Sequence, residues 1–123
     1  MLFRSMNDAV KNFTDEAARV ERERQKLIAE SEKSTASGAK LRRLNDALIA
    51  TERAFIDDRG LLGRPWYRHE IYAPGIFTGY AAQPLTDFQQ ALDDRNTTNV
   101  REGLERVVAA IKRATEVLRK ESQ

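Results

Sequence analysis

Four stretches of the chain carry apolar residues at helical spacing. In residues 3–30 they recur every three, four or seven positions with charged residues between them, which indicates the buried stripe of a long amphipathic helix. A second stripe covers residues 39–56, a third helix is predicted from about Pro84, and a fourth from Thr97 or Thr98 as N-cap to about Lys120. The stripe residues are Phe3, Met6, Val10, Phe13, Ala17, Val20 and Leu27; Leu41, Leu44, Leu48, Thr51 and Phe55; Leu85, Phe88 and Leu92; and Val100, Leu104, Val107, Ile111, Ala114 and Leu118.

The links between these stretches consist of turn-forming residues. "SEKSTASG" at residues 31–38 is typical of a flexible connection, and "DDRG" at residues 57–60 is expected to end the second helix. No stretch alternates in the manner of a strand. The pattern therefore predicts an all-α fold, a four-helix bundle with a long irregular aromatic-rich loop between helices two and three.

That loop includes "GRPWYRHEIYAPGIFTGYAAQP", residues 63–84, which holds the only Trp, the only His and all three Pro of the chain. A connection of this length inside a compact domain is uncommon and is often functional. Its aromatic residues fit either a lid over one end of the bundle or a surface that meets a protein, a domain or a ligand, and the sequence leaves both open. The candidates for interface or loop packing are Trp66, Tyr67, His69, Tyr72 and Phe77.

Composition narrows the function classes. At 123 residues the chain is expected to form a single domain. Its 21 basic and 19 acidic residues are mixed along the sequence, which argues against a nucleic-acid partner. No window approaches the roughly 18 apolar residues of a membrane span, so we expect no membrane contact by this chain. The compartment stays open.

The chemistry-bearing residues are sparse. There is no Cys, and His69 is the sole imidazole, so a zinc site would consist mostly of carboxylates. The Ser residues lack a nucleophile-elbow pattern, and no phosphate-binding glycine loop is present. We expect no catalytic residue, metal ligand or cofactor in this chain, and a structural, hydrogen-bonded role for His69.

One block of sequence is familiar. "ERAFIDDRGLLGRPWYRHEIYAPGIFTGYA", residues 52–81, resembles the C-terminal helical domain of the glutamate carboxypeptidase and transferrin receptor family. "AVKNFTDEA" at residues 9–17 looks like the first helix of that domain, and "ALDD" at residues 91–94 is similar to an acidic helix end there. The resemblance covers nearly the whole chain.

The resemblance implies a transferrin receptor-like dimerisation domain, a four-helix bundle that follows a protease-like domain. In that family the protease-like domain carries two zinc ions and the catalytic Glu, so the chain itself is expected to be non-catalytic and to be the C-terminal part of a larger zinc metallopeptidase-like protein. Its expected partners are that protease-like domain and a second protomer, in a homodimer. Whether the parent is active, and where it resides, stays open.

The resemblance also points to pocket residues. In the carboxypeptidase branch the loop after "YAP" borders the substrate pocket, where a Lys-Tyr pair binds the C-terminal carboxylate of a glutamate-ended substrate. The matching positions are Gly79 and Tyr80. Tyr80 is carried over as a pocket candidate, whereas Gly79 lacks the cation, which puts a preference for an acidic C-terminal residue in doubt.

A second function class fits the same residues. The chain could be a stand-alone helical adaptor or binding module whose aromatic loop holds a protein partner directly. The two hypotheses differ in whether the bundle exists apart from a peptidase-like parent.

Overall fold

The computed structural model describes residues 2–74 and 82–121, which form four helices and one small antiparallel sheet. In chain order the elements are α1 (Leu2–Ser31), α2 (Thr35–Arg53), β1 (Tyr72–Pro74), β2 (Ala82–Pro84), α3 (Thr86–Asp93) and α4 (Thr97–Glu121). The predicted all-α class with four helices is confirmed. We call residues 54–85, between α2 and α3, the connecting segment.

Helices α1, α2 and α4 pack against one another, and α3 packs on α4. Ala9 in the first half of α1 belongs to the same core cluster as Val107 and Val108, whereas Val20 belongs to the cluster of Leu118, so α1 and α4 run in the same direction. The short turn after α1 sends α2 back antiparallel to both. The C-terminal end of α2, the connecting segment and α3 therefore lie near the starts of α1 and α4.

The fourth helix is the centre of the core. Ala110 and Ala114 are fully buried, and Leu118 is nearly so. Small alanine side chains let the neighbouring helices approach α4 closely, while leucine and valine fill the space between. The apolar stripe predicted for this helix is thus the side on which the other three helices pack.

The second helix starts earlier than predicted, at Thr35 rather than Ala39. Ser34 has the extended backbone of an N-cap residue, and Ser37 is buried, so half of the stretch predicted to be flexible belongs to the helix. A buried Ser is a small residue that permits close packing, which periodicity in large apolar residues does not detect. The opposite error concerns four residues of the predicted stripes that are exposed, because each lies at the edge of its stripe or near a helix end: Phe3, Val10, Leu48 and Leu92.

The connecting segment contains strands that the pattern did not predict. β1 and β2 pair antiparallel, with Ala73 opposite Gln83. Each strand has three residues, one of them a proline at its end, which is too short for apolar and polar positions to alternate visibly.

The boundary between α3 and α4 also differs in detail. α3 begins at Thr86, after Leu85 with φ of 50°, and ends at Asp93, two residues before Arg95 with φ of 53°. The amides of Arg95 and Asn96 bond back to the carbonyls of Leu92 and Ala91, an arrangement that satisfies the end of a helix and is usually built on glycine. Asn96, not a threonine, caps α4, because its Oδ1 accepts the N–H of Asn99 at 3.0 Å.

Candidate interaction site on the connecting segment

The connecting segment begins with a turn organised by one buried carboxylate. Oδ1 of Asp57 accepts the backbone N–H of Arg59 at 2.9 Å, and the Arg59 guanidinium binds both carboxylate oxygens, with Nη2 at 2.6 Å from Oδ2. The hydrogen bond from Arg59 lowers the pKa of Asp57 to about 2, against the effect of its burial. Asp57 is therefore ionised throughout the physiological range.

Two charged side chains from the helices hold the next residues in place. Arg106 on α4 donates from Nη1 to the carbonyl oxygen of Gly60 at 2.6 Å and from Nη2 to Glu102 at 2.7 Å. Asp87 on α3 accepts the backbone N–H of Leu62 at 2.8 Å. Between these anchors Leu61 is 2% exposed, so the segment inserts an apolar side chain into the bundle at this point.

Gly60 allows the close approach on which this arrangement depends. Its φ is 72°, and a Cβ at this position would lie 2.2 Å from the carbonyl oxygen of Pro65. The chain turns back between Leu61 and Arg64, where the Arg64 N–H bonds to the Leu61 carbonyl at 3.0 Å. Backbone therefore passes over backbone here with no room for a side chain.

Glu70 is the carboxylate that the segment leaves without a partner. It is 2% exposed, and neither carboxylate oxygen accepts a hydrogen bond. Burial, together with the carboxylates of Asp57 and Asp87, raises the pKa of Glu70 to about 7, against the opposing effect of the Arg106 and Arg59 guanidinium groups. Burial also raises the pKa of Asp87 above its ordinary value, but there the hydrogen bond from the Leu62 amide opposes the rise.

His69 fixes the entry to β1. Its Nδ1 accepts the backbone N–H groups of Ile71 and Tyr72, each at 3.2 Å, which places the ring proton on Nε2, 2.9 Å from Oε1 of Glu52. The ring stacks on Phe55 with centroids 5.9 Å apart. The predicted structural role of His69 agrees with these contacts, although its interface role stays a prediction.

The aromatic side chains do not form one cluster among the described residues. Phe55, His69 and Tyr72 form one group, and Trp66 with Tyr67 forms another, with ring centroids 6.2 Å apart. The long irregular aromatic-rich loop of the sequence prediction is thus not confirmed as a unit.

The side chains of the interface candidates differ in how far they are exposed to solvent. Trp66 is 68% exposed and Tyr72 is 58% exposed, whereas Tyr67 and His69 are half-buried. The guanidinium of Arg64 lies 5.3 Å from the centre of the Tyr67 ring. A lid formed by Trp66 over the core is therefore wrong, because a lid residue would be buried. Phe77, Gly79 and Tyr80 lie outside the described residues.

No metal site is found in the part of the chain that the structure describes, where no three His, Asp or Glu side chains converge as ligands. The charge of Asp57 and Asp87 is met by arginine side chains and backbone amides instead. Over the same residues, no helix has an apolar stretch long enough to cross a bilayer.

The sequence did not reveal the charged anchors Arg106 and Asp87 or the buried carboxyl group of Glu70. The Glu102–Arg106 spacing of four residues was a visible signal for a helical ion pair, and Arg106 lies next to the apolar stripe residue Val107. Glu70 had no local signal. Its burial depends on how residues distant in sequence fold over it.

Residues 1–119 match a family model, that of the transferrin receptor-like dimerisation domain. The chain belongs to this family. The match spans nearly the whole chain, as the resemblance predicted.

Known relatives agree with the family assignment. The probable glutamate carboxypeptidase LAMP1 of Arabidopsis thaliana is 37% identical over 89 residues, covering 72% of this chain and 13% of that protein. The probable glutamate carboxypeptidase AMP1 of the same plant is 33% identical over 120 residues, covering 90% of the chain and 16% of that protein. The probable glutamate carboxypeptidase VP8 of Zea mays is 30% identical over 124 residues, covering 94% and 17%. The chain thus spans less than a fifth of the length of these relatives.

Proposed function

We propose that this chain is the non-catalytic helical dimerisation domain of a larger glutamate carboxypeptidase-like zinc metallopeptidase. In that protein, residues 63–84 pack against the protease-like domain and form part of the wall of its substrate pocket, with Tyr80 and Gly79 as pocket candidates. The two zinc ions belong to the protease-like domain. The structural observation that supports the proposal is the exposed side chain of Trp66 in a connecting segment that hydrogen bonds hold on the bundle.

Trp66 supports a contact with a neighbouring domain. The backbone around it is ordered by hydrogen bonds that join Leu61 to Tyr67 and to Arg64, and the indole is exposed on this ordered turn. Exposing a large aromatic side chain has a free-energy cost that burial in an interface removes. A rigid aromatic residue also loses little conformational entropy on binding.

The first helix supports association with a second protomer. Phe3, Val10 and Ile28 are exposed, and at about 100° per residue their separations of 7 and 18 positions bring them back to nearly the same side of α1. This line lies beside the core line of Ala9 and Val20. We call Phe3, Val10 and Ile28 the strip of α1; the same outer face also carries the ion pair of Glu21 and Arg24. An interface between two copies related by a two-fold axis would bury the strip of each copy.

The size of the natural protein tests the proposal first. An antibody raised against the chain should detect, in the source organism, a protein several times larger than the 14.0 kDa of the chain. A band at the mass of the chain alone would contradict the proposal and would favour the stand-alone adaptor.

Cysteine labelling then tests the domain contact. The chain has no Cys, so Trp66→Cys adds a single thiol that a maleimide should label rapidly in the isolated chain. In the larger protein we expect labelling at this position to slow by at least about tenfold, because the neighbouring domain covers it, as followed by mass spectrometry of the labelled peptide. Lys120→Cys, at an exposed position near the end of α4, is the matched control. Equal labelling of Trp66→Cys in both forms would refute the domain contact.

A further inference from the structure

Three buried carboxylates lie under the connecting segment, and their partners differ. Asp57 binds Arg59 through both oxygens, and Asp87 accepts the Leu62 amide. Glu70 accepts no hydrogen bond at either oxygen. An ionised carboxylate that is buried without a hydrogen bond is strongly unfavourable, whereas the protonated acid is neutral and costs much less to bury. Protonation therefore stabilises the buried side chain of Glu70 more than it would that of Asp57 or Asp87.

The charged groups that act on Glu70 come from three parts of the fold. The connecting segment contributes Asp57 and Arg59, α3 contributes Asp87, and α4 contributes Arg106. Arg59 and Arg106 are already engaged, the first by Asp57 and the second by Glu102 and the Gly60 carbonyl. Both cations still attract an ionised Glu70, but the repulsion from the two aspartates is the larger effect.

Glu70 is well placed to affect the segment. Its backbone N–H bonds to the Phe55 carbonyl at 2.9 Å, where the segment leaves α2, and it precedes β1 by two residues. Its side chain is buried, and the charges that act on it include Asp87 on α3 and Arg106 on α4, the two residues that hold the segment at Leu62 and Gly60. We propose that Glu70 is a proton-operated latch, which holds the connecting segment against α3 and α4 while its carboxyl is protonated and weakens that packing when the proton leaves.

The direction of the pH dependence follows from the raised pKa. Opening of the segment returns Glu70 to water, where its pKa falls from about 7 to its ordinary value of 4.5. The closed form then binds more protons than the open form, so its stability is complete below about pH 4.5 and falls as the pH rises towards 7 and beyond. Between about pH 6 and about pH 8 the closing equilibrium weakens by about tenfold.

A direct titration tests the latch in the chain itself. The side-chain carboxyl carbon of Glu70, followed by NMR, should titrate with a midpoint between about pH 6 and about pH 8. A midpoint between about pH 4 and about pH 5 would refute the proposal. This measurement needs no variant and so does not depend on whether a substituted chain folds.

Hydrogen exchange tests the consequence for the segment. The protection factors of the Leu61 and Leu62 amides, corrected for the intrinsic pH dependence of exchange, should fall by about tenfold from about pH 6 to about pH 8. Glu70→Gln should remove this fall, because the amide does not titrate, while Asp58→Asn, at an exposed carboxylate of the same segment, should retain it. Equal pH dependence in Glu70→Gln and in the unsubstituted chain would overturn the latch.

Discussion

A few single residues determine how the connecting segment follows the surface of the bundle. Asp57, Gly60 and Arg106 illustrate this, because each makes a bond or a close approach that another residue type would not reproduce. Arg106 donates to a backbone carbonyl and to a carboxylate at once, which needs the fork of a guanidinium group. The segment is therefore ordered by polar contacts to its backbone as well as by apolar burial.

Glycine substitutions test this description at the scale of one residue. Gly60→Ala should lower the free energy of unfolding by at least about 2 kcal/mol, since it combines a positive φ with a clash against the Pro65 backbone. Gly63→Ala, with φ of 74° but open space around it, should cost about 1 kcal/mol. Gly38→Ala, inside α2 with nothing near the new methyl group, should stabilise the chain by about 0.5–1 kcal/mol.

Urea denaturation of the three glycine variants supplies the measurement. The order of stability, Gly38→Ala above the unsubstituted chain and Gly60→Ala lowest, is the expected result. If Gly60→Ala were no less stable than Gly63→Ala, the close approach of Gly60 to Pro65 would not restrict the segment.

At the scale of the elements, the sequence predicted what depends on repeated apolar spacing. α1 and α4 appear within a residue or two of their predicted ends because both are long and their stripes pass through many turns. Other features depend on small or polar residues, which a search for periodic apolar positions does not detect. These features are the start of α2, the strands β1 and β2, and the N-cap residue Asn96. The sequence predicted which region holds the candidate site but not the charged residues that hold that region in place. Their contacts join residues up to 46 positions apart, which a local pattern does not reveal.

Two substitutions in the connecting segment distinguish its inward side from its outward side. Trp66→Ala should change the free energy of unfolding by no more than about 0.5 kcal/mol, because the indole is exposed. Leu61→Ala should cost about 2–5 kcal/mol, because it leaves a cavity in the bundle. Thermal and urea unfolding of both variants provide the comparison. A loss for Trp66→Ala as large as that for Leu61→Ala would mean that the indole packs on the bundle in solution.

At the scale of the whole molecule, the exposed strip of α1 should determine self-association. In an interface with two-fold symmetry each substitution enters twice, so Val10→Lys and Ile28→Lys together replace four exposed apolar side chains by cations. We expect the dissociation constant of the dimer, measured by sedimentation equilibrium, to rise by at least about tenfold. Leu92→Lys, at an exposed leucine of α3, is the control and should change it by less than about twofold. If the α3 variant weakened association as much as the α1 variant, or if the unsubstituted chain stayed monomeric at high concentration, then the strip of α1 would not be where two copies of this domain meet.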